Sequence, residues 1–149
     1  MILAQEYEEV IDAIKKHLYP RRKYLIAIDG YPGTGKSSLS RFLAFKLEMP
    51  AIETDLLRVL EEEQPSYRLG ELRNLIQSRH DQNRPVIVEG IFTLDTLDKI
   101  GLVPDYLIYV DNSEANCGYS LRHSMPEYLE KYKPHVLASY VCNTDFIKM

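Results

Sequence analysis

The sequence predicts an α/β protein built on a mainly parallel sheet. Three observations carry that prediction. Short continuous apolar runs alternate with stretches of helical periodicity, the pattern of repeated βα units. The first clear apolar run, Tyr24 to Asp29, opens straight into a glycine-rich turn and then a helical stretch. The 149 residues suit one domain, and no change of composition marks a second.

The elements follow in order. Leu3, Tyr7, Val10, Ile11, Ile14 and Leu18 recur at spacings of three and four. They mark an amphipathic helix with glutamates and lysines on its wet face, stopped by Pro20. Arg21 to Lys23 form a basic connector. Tyr24 to Asp29 is apolar up to its last residue, as a strand buried on both faces requires. Gly30 to Gly35 is a turn, and Ser37 to Leu47 a helix. Met49 to Thr54 reads as a short second strand, Asp55 to Glu63 as helical, and Glu71 to Asp81 as another helix. Val86 to Gly90 and Asp105 to Val110 are the third and fourth strands, with no element assigned between them. Helical signal returns at Glu114 to Arg122 and Glu127 to Tyr132, and Ser139 to Cys142 is a candidate last strand.

Composition removes several classes of function. A net charge of −4 gives no broad basic face, which disfavours nucleic acid as a partner. No apolar run reaches the roughly 18 residues of a membrane span, and the first residues lack a secretory apolar core. Cys117 and Cys142 are too few for a disulfide framework or a zinc cage, and read as free thiols of a cytoplasmic protein. The four histidines show no metal-ligand spacing.

The strongest signal is Gly30-Tyr31-Pro32-Gly33-Thr34-Gly35-Lys36-Ser37, which fits G-x-x-x-x-G-K-[ST]. Backbone N–H groups of such a loop wrap a phosphate chain, and glycines let the chain turn tightly and keep side chains out of the way. Lys36 offers an ammonium to the outer phosphates, and Ser37 a hydroxyl to Mg²⁺. Ser38 continues the loop into a helix whose free N–H groups and dipole favour an anion. Tyr31 is either a packing group or a contact to nucleotide or acceptor.

The stretch Ile28 to Ser38 resembles the opening of uridine kinase-like and cytidylate kinase-like proteins, small-molecule kinases among the P-loop NTPases. That resemblance implies a three-layer fold over residues 1–149, with a five-stranded parallel sheet in the order 2-3-1-4-5. It also implies ATP and Mg²⁺ as cofactors.

Thr54-Asp55-Leu56-Leu57-Arg58 lies just past the proposed second strand, on the edge where open α/β sheets bind ligands. Transfer of a phosphoryl group to an alcohol asks for a carboxylate that orients the hydroxyl and takes its proton late. Asp55 is the candidate, with a helix N-cap as its structural alternative. Arg58 could grip an anion on the acceptor in a bidentate fork, or simply lie on a helix surface. The Asp-x-x-Arg pattern is similar to one in adenylylsulfate kinases, polynucleotide 5′-hydroxyl kinases and zeta-type toxin kinases.

Glu89 ends the buried run Val86 to Val88, where a charge is costly unless it is used. Its use here is Mg²⁺; a structural ion pair is the alternative. The Val88-Glu89-Gly90 ending is similar to that of uridine kinase-like chains. Asp29 is a candidate for support behind these groups. P-loop kinases commonly close an arginine-bearing lid after the fourth strand, and Arg122 holds that place, with Lys131 and Lys133 as substitutes.

These readings converge on a kinase moving a γ-phosphoryl group from ATP to a hydroxyl of a small nucleoside- or sugar-like acceptor. Three alternatives stay open: a regulatory ATPase without an acceptor, a polynucleotide 5′-hydroxyl kinase, and a toxin-type kinase.

Overall fold

A computed structural model describes residues 5–148. Helix α1 (Gln5–Lys15) buries Tyr7, Val10, Ile11 and Ile14, the spacing seen in the sequence. Leu18 is also buried but lies beyond the helix end, and Leu3 falls outside the described residues. Glu6 and Glu8 in the first turn and Lys15 in the last suit the helix dipole.

Five strands form one sheet: β1 (Tyr24–Gly30), β2 (Ala51–Glu53), β3 (Pro85–Glu89), β4 (Tyr106–Asp111) and β5 (Tyr140–Asn143). Their order is β2-β3-β1-β4-β5 and every pairing is parallel. The expected fold class and strand order are therefore present. All residues of β1 and β3 are buried, because helices cover both faces of the sheet.

The pleat of β1 sorts its side chains. Ile26 and Ile28 join one core with Val10 and Ile14 of α1 and with Leu39 and Leu43 of α2 (Lys36–Leu47). Leu25 and Ala27 point the other way. There they meet Leu72 and Ile76 of α3 (Leu69–Asp81), Leu97 of α4 (Thr93–Asp98) and Met125 of α5 (Ser124–Tyr132). Each such fully buried leucine or isoleucine contributes about 2 kcal/mol. A short α6 (Pro134–Leu137) leads into β5.

Two expected helices are absent. Between Asp55 and Glu63 only Thr54–Leu57 coils, as a single 3-10 turn. The chain then pairs back on itself through Arg58 and Tyr67, with Val59 N–H donating to the Ser66 carbonyl at 2.8 Å. Leu56 and Leu60 are exposed, so a helix here would have no face to bury. Pro65 adds to the disfavour by restricting the residue before it.

The segment 114–122 is also irregular. Asn112 Oδ1 accepts the Glu114 N–H and Asn116 Oδ1 that of Gly118, local bonds that compete with a helix. Gly118 has φ +75°, which no helix accommodates. Conversely, α4 is present where no element was assigned. Its Leu94 and Leu97, with Ile100 just past its end, bury at helical spacing, but six residues are too few for a clear period.

Candidate functional site

The carboxyl ends of the strands share one edge of the sheet, and a cleft of about 480 Å³ opens there. Its walls come from the loop 30–38, the ends of β2 and β3, the segment 58–65 and the segment 117–121.

Backbone shape explains the loop. Gly30 has φ +151°, and a Cβ on it would lie 2.5 Å from the Val110 carbonyl oxygen of β4. Only glycine lets β1 leave the sheet at that point. Gly33 and Gly35 have φ +75° and +97°. Gly35 precedes α2, whose first turn has no side-chain cap and presents free N–H groups to the cleft. The Tyr7 hydroxyl of α1 donates to the Gly35 carbonyl at 3.2 Å, which anchors the loop from behind.

Lys36 is buried, and its Nζ donates to the Tyr31 carbonyl at 2.5 Å. Burial lowers its pKa, opposed by the negative charge of Glu89, Asp29 and Asp55. Thr34 Oγ1 donates to the same Tyr31 carbonyl at 2.9 Å, so both side chains shape the loop. Tyr31 is partly buried against the second core and does not line the cleft. Pro32, Gly33, Gly35, Lys36, Ser37 and Ser38 do.

Ser37 Oγ donates to Glu89 Oε1 at 2.9 Å. Glu89 is buried, which raises its carboxyl above the usual range, while the Ser37 bond and the Lys36 charge pull it back. Behind it, a Cβ on Gly90 would lie 2.0 Å from Thr54 Oγ1, so this glycine lets β3 pass close to the 3-10 turn.

Asp55 and Arg58 both line the cleft with exposed side chains. The cap position of the 3-10 turn belongs to Glu53, and Asp55 makes no cap bond there. Arg58 makes no side-chain hydrogen bond or ion pair among the described residues, so its guanidinium is uncommitted.

Arg122 stands apart. Its Nη1 donates to the Tyr119 carbonyl at 2.8 Å, and its guanidinium stacks 3.6 Å from the centre of the Tyr119 ring. It faces a neighbouring depression with Glu63 and Gln64 rather than the loop 30–38. Lys131 lines a third depression, and Lys133 caps α5.

Several cleft residues carry no sequence signal. Glu63, Cys117, Ser120 and Leu121 come from irregular segments. Gln64 does not line the cleft but ties two of its segments together: its Nε2 donates to the Ser120 carbonyl at 2.9 Å, and its Oε1 accepts from Ser124 Oγ at 2.8 Å. Behind the loop, Asp29 is buried, and its Oδ1 accepts the Gly30 N–H at 2.8 Å.

The site is thus a nucleotide-type phosphate loop on a parallel sheet. A family model for the ATPase family associated with various cellular activities (AAA) matches residues 26–115, from β1 to just past β4. The chain belongs to that family. As an AAA-family chain it has the P-loop NTPase fold, a nucleotide-binding fold.

Solved structures share this fold. A possible uridine kinase from Bacillus stearothermophilus superposes with a TM-score of 0.67 at 16% identity, covering 91% of this chain and 96% of that one. A gluconokinase from Sinorhizobium meliloti 1021 gives 0.55 at 20% identity, covering 83% and 84%. A sugar kinase from Janibacter sp. HTCC2649 gives 0.55 at 18% identity, covering 84% and 86%. No curated protein matches. Among the described residues of this AAA-family chain, no helix is long and apolar enough to cross a membrane.

Proposed function

We propose that the protein is a cytoplasmic, ATP- and Mg²⁺-dependent kinase that moves the γ-phosphoryl group to a hydroxyl of a small nucleoside- or sugar-like acceptor. One observation carries this reading. A single cleft joins the phosphate loop, the Ser37–Glu89 pair and the uncapped Asp55 carboxylate. The kinase names of its structural neighbours point the same way.

Amides of residues 30–38 hold the β- and γ-phosphates, and Lys36 leaves the Tyr31 carbonyl to meet them. Ser37 Oγ and Glu89 Oε1 are hard oxygen donors of the kind Mg²⁺ takes. Among the described residues, no cluster of three or more His, Cys, Asp or Glu side chains could hold a metal. That fits an ion completed by phosphates and water. The ion that Ser37 and Glu89 would hold would supply positive charge against the phosphates.

Asp55 orients the acceptor hydroxyl and takes its proton as the new O–P bond forms and the bond from the γ-phosphorus to the bridging oxygen breaks, releasing ADP. Arg58 holds an anionic or polar group of the acceptor. Arg122 neutralises charge on the transferred group, which requires it to leave Tyr119.

Mixing the protein with Mg·ATP and a panel of nucleosides, sugars and sugar acids tests the reading by release of ADP. One class of acceptor should stimulate release, and Asp55→Asn should abolish that stimulation while thermal-shift binding of Mg·ATP persists. Full transfer by Asp55→Asn would remove Asp55 from the reaction. The AAA match supports a second reading, a regulatory ATPase; hydrolysis that no acceptor alters would favour it.

A further inference from the structure

Tyr128 lies in the second turn of α5, outside every motif of the sequence. Its ring packs edge-on against Phe92, with centroids 5.1 Å apart. Its hydroxyl is committed on two sides. It accepts the Leu94 N–H of α4 at 3.0 Å, and it donates to Asp29 Oδ2. Asp29 is 1% exposed, and its other oxygen holds the Gly30 N–H, the first amide of the phosphate loop.

Four groups therefore face the Asp29 carboxylate: the Tyr128 hydroxyl, the Gly30 amide, the charge of Lys36 and the Thr93 backbone amide. A buried carboxylate that loses a donor turns to the nearest cation, because an unpaired charge is costly away from water. Here that cation is Lys36, whose Cδ would lie 3.5 Å from a Cβ on Gly30 and whose charge acts on Asp29; phosphates also need it. The Tyr128 hydroxyl occupies the oxygen that would otherwise recruit it.

We propose that Tyr128 is a positioning residue for the phosphate loop. By holding Asp29 on the Gly30 amide, it keeps Lys36 available to the outer phosphates of a nucleotide. The same hydroxyl joins the loop to the cleft wall, since the first turn of α5 is tied to Leu121 by the Met125 N–H bond to the Leu121 carbonyl at 3.0 Å. The inference rests on the reading that residues 30–38 bind a triphosphate.

Calorimetry with two probes tests it: Mg·ADP and Mg·AMP-PNP, a non-hydrolysable ATP analogue. Tyr128→Phe should lose about tenfold in AMP-PNP affinity, the loss of one hydrogen bond to a charged group, and much less in ADP affinity. Tyr132→Phe is the control. It removes a hydroxyl one turn away that bonds Asp95 and Asp98 at 3.0 Å each and does not touch the loop, so both affinities should hold. In Tyr128→Phe with Asp29→Asn, the carboxylate that captures Lys36 is gone, and the preference for AMP-PNP should return.

An equal loss for both nucleotides would make Tyr128 mere scaffold and overturn the proposal, as would unchanged binding. If Tyr128→Phe alone does not fold, the double variant against Asp29→Asn decides. Equal preference supports the proposal, and a further drop overturns it. A wild-type protein that binds neither nucleotide overturns the phosphate-loop reading itself, whereas normal wild-type binding with no Tyr128 effect overturns this inference alone.

Discussion

Ser37 and Glu89 are 52 positions apart in the chain and 2.9 Å apart in the fold, hydroxyl to carboxylate. The bond ties the first turn of α2 to the end of β3. It also places two oxygens at the inner wall of the cleft.

Glu89→Gln should separate stability from binding. Glutamine keeps the volume and can still accept from Ser37, but it no longer buries a charge whose pKa is raised by desolvation. The thermal midpoint should stay level or rise, while the midpoint gain from Mg²⁺ with ATP shrinks. A variant that loses stability and keeps the full gain would take Glu89 out of the metal role.

Gly90→Ala should destabilise without touching the loop. The added methyl would lie 2.0 Å from Thr54 Oγ1 and 3.2 Å from Thr54 Cβ, so the 3-10 turn must move. Overpacking of this kind costs about 1–3 kcal/mol, read as a lower urea midpoint. Pairing it with Thr54→Ser, which removes a methyl, should recover only part, because the nearest clash is with the hydroxyl.

Asp29 gives a pH signature. Burial pushes its carboxyl up to about 6, from 3.8 in the free side chain, against the pull of Tyr128, Gly30 and Lys36. The native state then holds this proton more tightly than the unfolded chain does. Asp29 therefore favours folding most below 3.8, and that contribution is lost as pH rises to about 6. Urea midpoints of wild type should fall relative to Asp29→Asn across that window. A difference that is flat or rises would contradict the burial-driven shift.

Local chemistry explains what was legible. Each glycine of residues 30–35 sits at a positive φ, a local need that sequence alone can signal, so the motif could be read without the fold. The buried runs of β1, β3 and β4 are nearly unbroken and could not be mistaken for surface. The segment 55–63 misled because leucine, arginine and glutamate favour helix, while the decision lay with an absent packing partner. The Tyr128–Asp29 bond joins residues 99 positions apart, and no spacing rule reaches so far. Arg122 occupies the expected stretch of sequence, yet its stacking on Tyr119 depends on the irregular path of 114–122.

The two hydrogen bonds of the Gln64 amide latch the segment 58–65 to the segment 117–124, and both segments supply walls of the cleft. Walls fastened together travel as one body, so cutting the latch with Gln64→Ala would let each drift independently.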